Sequence, residues 1–219
     1  MHSSDLSIGQ QVAAALLQVK AVFFRPDEPF TWASGIKSPV YCDNRLTLSD
    51  PEARDVIERG IAQAVREHFP GCEILMGTST AGIPHAAIAA HLLRMPMGYV
   101  RGGTKDHGRQ NQIEGRLAPG QKAVVVEDLI STAGSAVEAV EALRQAGAEV
   151  LGIVSIFTYG MRKGLERMKA AGVTNHSLTD FDTVAREAAR LGAIPETDLE
   201  RLKRFRDNPQ DESWIGADR

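Results

Sequence analysis

Two carboxylates followed by a cluster of hydroxyls carry the most specific chemistry in this chain of 219 residues: Glu127-Asp128-Leu129-Ile130-Ser131-Thr132-Ala133-Gly134-Ser135. A short hydroxylated turn that opens a helix offers free backbone N–H groups, which bind phosphate with help from Ser and Thr side chains. Gly134 lets the backbone approach the ligand closely. The plainer reading makes Ser131 an N-cap and the acids partners of the helix dipole. That accounts for one acid and one hydroxyl, not for two acids and three hydroxyls behind an apolar strand. The pattern predicts a sugar-phosphate site. A second turn, Gly77-Thr78-Ser79-Thr80-Ala81-Gly82, repeats the glycine-and-hydroxyl composition ahead of an alanine-rich helix. Many α/β connections use such residues to cap helices, but two in one sheet suggest a ligand with two phosphate-bearing ends.

Two other stretches complete the set. Arg101 to Asn111 is polar and glycine-rich, and gathers Arg101, Lys105, His107 and Arg109 although the chain's net charge is −3. Its plainer fate is a solvated surface loop. Beside two anion-binding turns, it is expected to be a mobile cationic loop that closes over a polyphosphate. Phe30 to Arg45 places aromatic-bearing stretches on either side of Ser34-Gly35, which predicts a hairpin. Such a flap covers a core edge or holds a flat heterocycle.

These residues need a scaffold, and the apolar pattern supplies one. Ala123 to Val126 reads as a strand buried on both faces that ends at Glu127 and Asp128, with a helix over Ala136–Ala146. Further strands are expected at Glu73–Met76, Met97–Val100 and Val150–Phe157. Helices are expected at Ile8–Val19, from Pro51 to about Phe69, from the second turn to Leu93, and over Met161–Ala171. A polar tail continues with helices at Phe181–Leu191 and Glu196–Phe205, which buttress the fold. His85 and His91 fall within a helix and are read as structural. The order predicts an α/β fold: a mainly parallel sheet with right-handed crossovers and the acidic pair at the carboxyl end of a strand. A single domain over 1–219 is expected, with a hood at about 20–48, a core at about 50–175 and a helical extension at about 176–219.

Composition limits the partners. The slightly acidic balance gives no reason to expect nucleic acid. Cys42 and Cys72 lack metal-ligand spacing and a disulfide framework, so a reducing compartment is expected. Met1 to Asp5 shows no secretory pattern, and no apolar run approaches membrane-spanning length. A cytoplasmic protein without membrane partners is expected.

The strand, acidic pair and hydroxyl turn resemble the phosphoribosyl-diphosphate motif of type I phosphoribosyltransferases. Ser34-Gly35-x-x-Ser38-Pro39 followed by Tyr41 resembles the hood of the orotate phosphoribosyltransferases. Arg101-x-x-x-Lys105-x-His107-Gly108 resembles that family's catalytic loop. The resemblance implies transfer of a phosphoribosyl group from 5-phosphoribosyl-1-diphosphate to orotate, with Mg²⁺ carried on substrate oxygens and water rather than on protein ligands. It implies that Glu127, Asp128, Lys105 and His107 act in catalysis. The donor would lie against Arg101, Lys105, His107, Thr78, Ser79, Thr80, Ala81 and Gly82, and against the stretch from Glu127 through Leu129, Ile130, Ser131, Thr132, Ala133 and Gly134 to Ser135. Orotate would lie near Ser34, Gly35, Tyr41, Cys42, Ser131 and Thr132. It also implies a homodimer in which the Arg101–Arg109 loop serves the neighbouring subunit. Ala33, Ala81, Gly102 and Gly103 stand where some members carry lysine. A purine or uracil phosphoribosyltransferase is the rival within catalysis, and a non-catalytic sensor of phosphoribosyl diphosphate is the rival outside it.

Overall fold

The computed structural model describes residues 6–32, 35–102 and 112–216. Helix α1 (Ile8–Gln18) starts at a capping box, with Ser7 accepting from the Gln10 N–H and Gln10 reaching back. A small antiparallel pair follows, β1 (Val22–Phe24) with β4 (Val40–Cys42), and enclosed within it a second pair, β2 (Phe30–Thr31) with β3 (Lys37–Ser38). The expected single hairpin is therefore two short ladders. A 3₁₀ turn at Asn44–Ser49 leads to Asp50, which caps α2 (Pro51–His68).

The main sheet is built from β5 (Ile74–Thr78), β6 (Met97–Val100), β7 (Ile113–Glu114), β8 (Lys122–Ile130), β9 (Glu149–Thr158) and β10 (Asn175–Asp180). Their order is β10-β9-β8-β5-β6-β7, parallel throughout except for the β6–β7 pair. Helices α3 (Gly82–Leu93), α4 (Gly134–Gln145), α5 (Arg162–Ala170), α6 (Phe181–Arg190) and α7 (Asp198–Asp207) complete the described chain. Among the described residues no helix is long and apolar enough to cross a membrane.

Alternation along β8 splits the core. Val124 and Val126 pack on the side of α1, α2, α3 and α6, whereas Ala123 and Val125 pack on the side of α4 and α5. The central strands β5 and β8 are apolar because helices cover both faces.

Three expectations need correction. Strand β8 does not stop at Val126: its ladder with β9 continues through Glu127–Ser155, Leu129–Phe157 and Ile130–Thr158, so both acids lie within the strand. Strand β5 likewise extends through Gly77 and Thr78. Strand β10 lies where no element was expected; its side chains are mostly polar and pairing with β9 holds it.

The α3 turn rests on a close approach. A Cβ on Gly82 would collide with the Val126 carbonyl oxygen and the Thr78 hydroxyl. Gly82→Ala is therefore expected to destabilise the fold by about 2 kcal/mol, the cost of overpacking against immobile backbone. Urea unfolding should show a lower midpoint at unchanged slope.

Candidate active site

Strands β5 and β8 are parallel neighbours, so the turns that follow them open side by side at the carboxyl edge of the sheet. Helix α3 begins after Ala81 and α4 after Ala133, and neither N-cap residue makes a side-chain cap hydrogen bond. In α1, α2 and α6 such a bond is present, from Ser7, Asp50 and Asp180, whereas α5 and α7 lack it as well. Apart from the Ile83 N–H, which donates to the Thr80 carbonyl at 3.4 Å, no side-chain cap competes with an anion for the first turns of α3 and α4. In the second of these turns the left-handed position belongs to Ala133 (φ 58°), not to Gly134. Strain at a non-glycine residue of this kind persists where the surroundings enforce it.

The two acids part company here. Glu127 points towards α4 and is 4% exposed. The Thr78 hydroxyl donates to its Oε1 (2.6 Å), as does the Asp128 N–H (3.1 Å), and the Ser135 hydroxyl donates to Oε2 (3.1 Å). Burial pushes the Glu127 carboxyl up to about 7; the Thr78 bond opposes the rise and the charge of Asp128 adds to it. Asp128 is partly exposed beneath the 20–48 segment, with its carboxyl close enough to Glu127 to act on it. Its carbonyl accepts from Asn44 Nδ2 at 2.7 Å, and the Asn44 Oδ1 accepts in turn from Cys42 Sγ at 3.3 Å.

The other expected residues fall into place unevenly. Thr78 is buried and committed to Glu127, while Ser79 and Thr80 are more open. The Gly102 N–H donates to Ser79 Oγ (2.7 Å) and the Arg101 N–H to the Gln112 carbonyl (2.7 Å), which seats Arg101 beside the first turn. Arg101 also pairs with Glu114 at 3.2 Å. Ser79, Arg101, Gly102, Gln112, Ser135 and Glu138 line one concavity. Lys105, His107 and Arg109, with Gly103, Ala33 and Ser34, lie outside the described residues. Leu129 is partly buried against one side of the core, and Ile130 is buried in the other. Tyr41 and Cys42 have different surroundings: Tyr41 is exposed and packs on Phe23 and Phe30, whereas Cys42 faces Asn44. Burial pushes the Cys42 thiol up, with Asp128 and Asp43 adding to the rise. Of the two, Cys42 is the one turned towards Asp128. Gly35 holds φ 86° in the turn between β2 and β3.

Sequence reasoning missed two positioning residues. Asn44 is buried and braces Asp128 across 84 positions of sequence. Arg167 of α5 donates from Nη1 to the Thr132 carbonyl (3.0 Å), which sets its guanidinium beside Gly134 at the start of α4. No local pattern marks either, because both act through contacts between distant segments. His85 lies buried 2.5 Å from Glu58, which fits the structural reading. Among the described residues no group of three or more His, Cys, Asp or Glu side chains is arranged to hold a metal ion.

The model of the phosphoribosyl transferase domain matches residues 47–188, which contain both turns and the acidic pair. An orotate phosphoribosyltransferase of Bacillus cytotoxicus is 53% identical over 208 residues, covering 95% of this chain and 99% of that protein. The chain belongs to the orotate phosphoribosyltransferases. Among solved members of that family, the Aeropyrum pernix orotate phosphoribosyltransferase superposes with a TM-score of 0.73 at 30% identity, covering 83% of this chain and 98% of that one. The UMP synthase of Leishmania donovani superposes with a TM-score of 0.76 at 26% identity, covering 90% of this chain and 42% of that one. The type I phosphoribosyltransferase fold expected from sequence is the one observed.

The buried Glu127 yields a pH prediction. Its carboxyl titrates at about 7 in the fold against an ordinary value of 4.5. A raised acid stabilises the fold fully below its unfolded pKa, and that stability is lost as pH rises through the folded value. Glu127→Gln keeps an acceptor for Thr78 without the charge. Thermal unfolding of both proteins should show the variant gaining on the wild type between pH 5 and 8 by up to about 3 kcal/mol. A gap that does not change with pH would remove Glu127 as the titrating group.

Proposed function

We propose that the chain transfers the 5-phosphoribosyl group of 5-phosphoribosyl-1-diphosphate to orotate, giving orotidine 5′-monophosphate and diphosphate in pyrimidine (UMP) biosynthesis. The observation that carries this reading is the pair of uncapped helix N-termini at the ends of β5 and β8, with Asp128 between them and the 20–48 segment.

Each part then has a physical task. The Ser131–Ser135 turn holds the 5′-phosphate on α4 N–H groups, with Arg167 bonded to the Thr132 carbonyl beside that turn. The Thr78–Gly82 turn receives the diphosphate. As the C1′–oxygen bond to diphosphate breaks and the C1′–nitrogen bond to orotate forms, positive charge develops on the ribose. Asp128, partly exposed, stabilises that charge and hydrogen-bonds the ribose hydroxyls. Glu127 acts on the same centre from behind, by fixing the geometry of both turns and by its field. The leaving diphosphate gathers negative charge, met by Arg101 and, in the same loop, by Lys105 and His107. Orotate enters beneath the hood near Gly35, Ser34, Cys42 and Tyr41, with Ser131 and Thr132 at its other edge.

Mg²⁺ belongs to the proposal. An acidic pair with no third ligating side chain beside it among the described residues fits a cation that keeps its water and rides on substrate oxygens. When bound it supplies positive charge against the diphosphate. The proposal extends to one domain over 1–219, a cytoplasmic setting, and a homodimer whose Arg101–Arg109 loops serve each other's sites.

Incubation of the protein with phosphoribosyl diphosphate, Mg²⁺ and each of orotate, uracil, hypoxanthine and xanthine should consume orotate alone. Turnover of a purine with orotate untouched would overturn the reading. Lys105→Ala should lower kcat far more than it weakens orotate binding, since the charge it meets develops in the transition state. Mixing inactive Lys105→Ala and Asp128→Asn subunits should restore part of the activity if the loop crosses between subunits; no recovery would place it within one chain.

A further inference from the structure

The segments on either side of the matched region, before residue 47 and after residue 188, pack on one another. Arg201 of α7 is 6% exposed and spends its guanidinium on four oxygens. Two belong to the hood: the Pro26 carbonyl (2.8 Å) and Asp27 Oδ1 (3.1 Å). Two belong to the tail: Asp198 Oδ1 (2.8 Å) and the Trp214 carbonyl (3.1 Å). An arginine fork is one of the few groups able to hold so many acceptors in fixed directions.

Aromatic rings extend the junction. Trp32, on the turn between β2 and β3, meets Phe205 of α7 edge-on at 5.9 Å and Tyr159 at 5.6 Å. Phe205 in turn meets Trp214, which is fully buried. Tyr159 follows β9, and its N–H donates to the Ile130 carbonyl at 2.9 Å, one residue before the phosphate turn. The chain of contacts therefore runs from the tail, through the hood turn that carries Gly35, to the edge of the site.

Of the sugar-phosphate machinery, this chain of contacts reaches only the Ile130 carbonyl. Thr78, Glu127, Ser135 and Arg167 make none of these bonds. Hood strands of two and three residues cannot hold a fixed geometry alone, since isolated short ladders are marginal in water. The tail supplies what they lack.

We propose that the C-terminal tail is the second half of the acceptor-binding element, with Arg201 as a positioning residue that fixes the hood over the base. This rests on the reading of the site as a phosphoribosyltransferase whose hood holds the base. The prediction is a split between substrates. In the full-length protein, Arg201→Met should raise the KM for orotate about tenfold while the dissociation constant for phosphoribosyl diphosphate, measured by equilibrium dialysis, changes less than about twofold. Arg201→Lys, which keeps the charge but not the fork, should recover part of the orotate affinity. Asp27→Ala removes a single exposed partner and leaves Arg201 three others, so it should fold if Arg201→Met does not; about a threefold rise in orotate KM at unchanged melting temperature is expected. Equal weakening of both substrates, or an orotate KM that stays put in folded Asp27→Ala and Arg201 variants, would overturn the inference. Failure of the wild type to use orotate would instead overturn the functional reading. The same acceptor-to-donor ratio would then be read with whichever base is consumed.

Discussion

Glu127 sits near the carboxyl ends of two parallel strands, and its carboxylate is bonded to β5, to β8 and to the first turn of α4. Removing a carboxylate from water is costly unless every lone pair finds a donor. Here the donors come from the last residue of β5, from the next residue of β8 and from the first turn of α4. Satisfying the buried acid therefore requires the two turns to stand at one fixed separation. In the proposed reading, that separation is the distance across which a ligand with two phosphate-bearing ends is held. The close contact of Gly82 with the Val126 carbonyl works in the same direction, bringing the start of α3 against the strand that carries the acid.

The adjacent acids look equivalent in the sequence and are not so in the fold. Alternation along an extended strand sends consecutive side chains to opposite faces. Glu127 is buried against Thr78 and the first turn of α4, while Asp128 is partly exposed and has its carbonyl held by Asn44 of the hood. One becomes a brace and the other meets the open side. The same rule separates Tyr41 from Cys42. A motif read as a unit thus resolves into residues with different tasks once the strand is seen to run through it.

Much of the scaffold was legible because its signals are local. Met97–Val100 forms the expected strand, Asp50-Pro51 opens the expected helix, and the alanine-rich stretch ends at Leu93 as expected. The strand ends were not legible: the length of β8 follows from its neighbour β9, whose ladder carries it through Ile130. Strand β10 hid for a related reason. Asn175–Asp180 shows little apolar alternation, and pairing with β9 decides its conformation. At the site, the turns and acids could be read, but Asn44, Arg167 and Arg201 could not. Each is a long polar side chain or amide whose partners lie in other segments, and one sequence does not display that proximity.

The two ends of the site are also built from different materials, and this bears on how such a fold can serve different bases. The proposed donor end is made largely of backbone: helix N–H groups, a left-handed Ala133, and glycines pressed against carbonyls. Such geometry tolerates little substitution, because the atoms that would clash cannot move. The proposed acceptor end is made of side chains on very short strands, held by one guanidinium and a series of edge-on aromatic rings. Side-chain contacts can be exchanged without disturbing the sheet beneath them. A hood fastened by a tail can therefore change its base while the strands, turns and acid brace stay as they are. The division follows from where each part is anchored: the turns to the sheet through Glu127, the hood to α7 through Arg201.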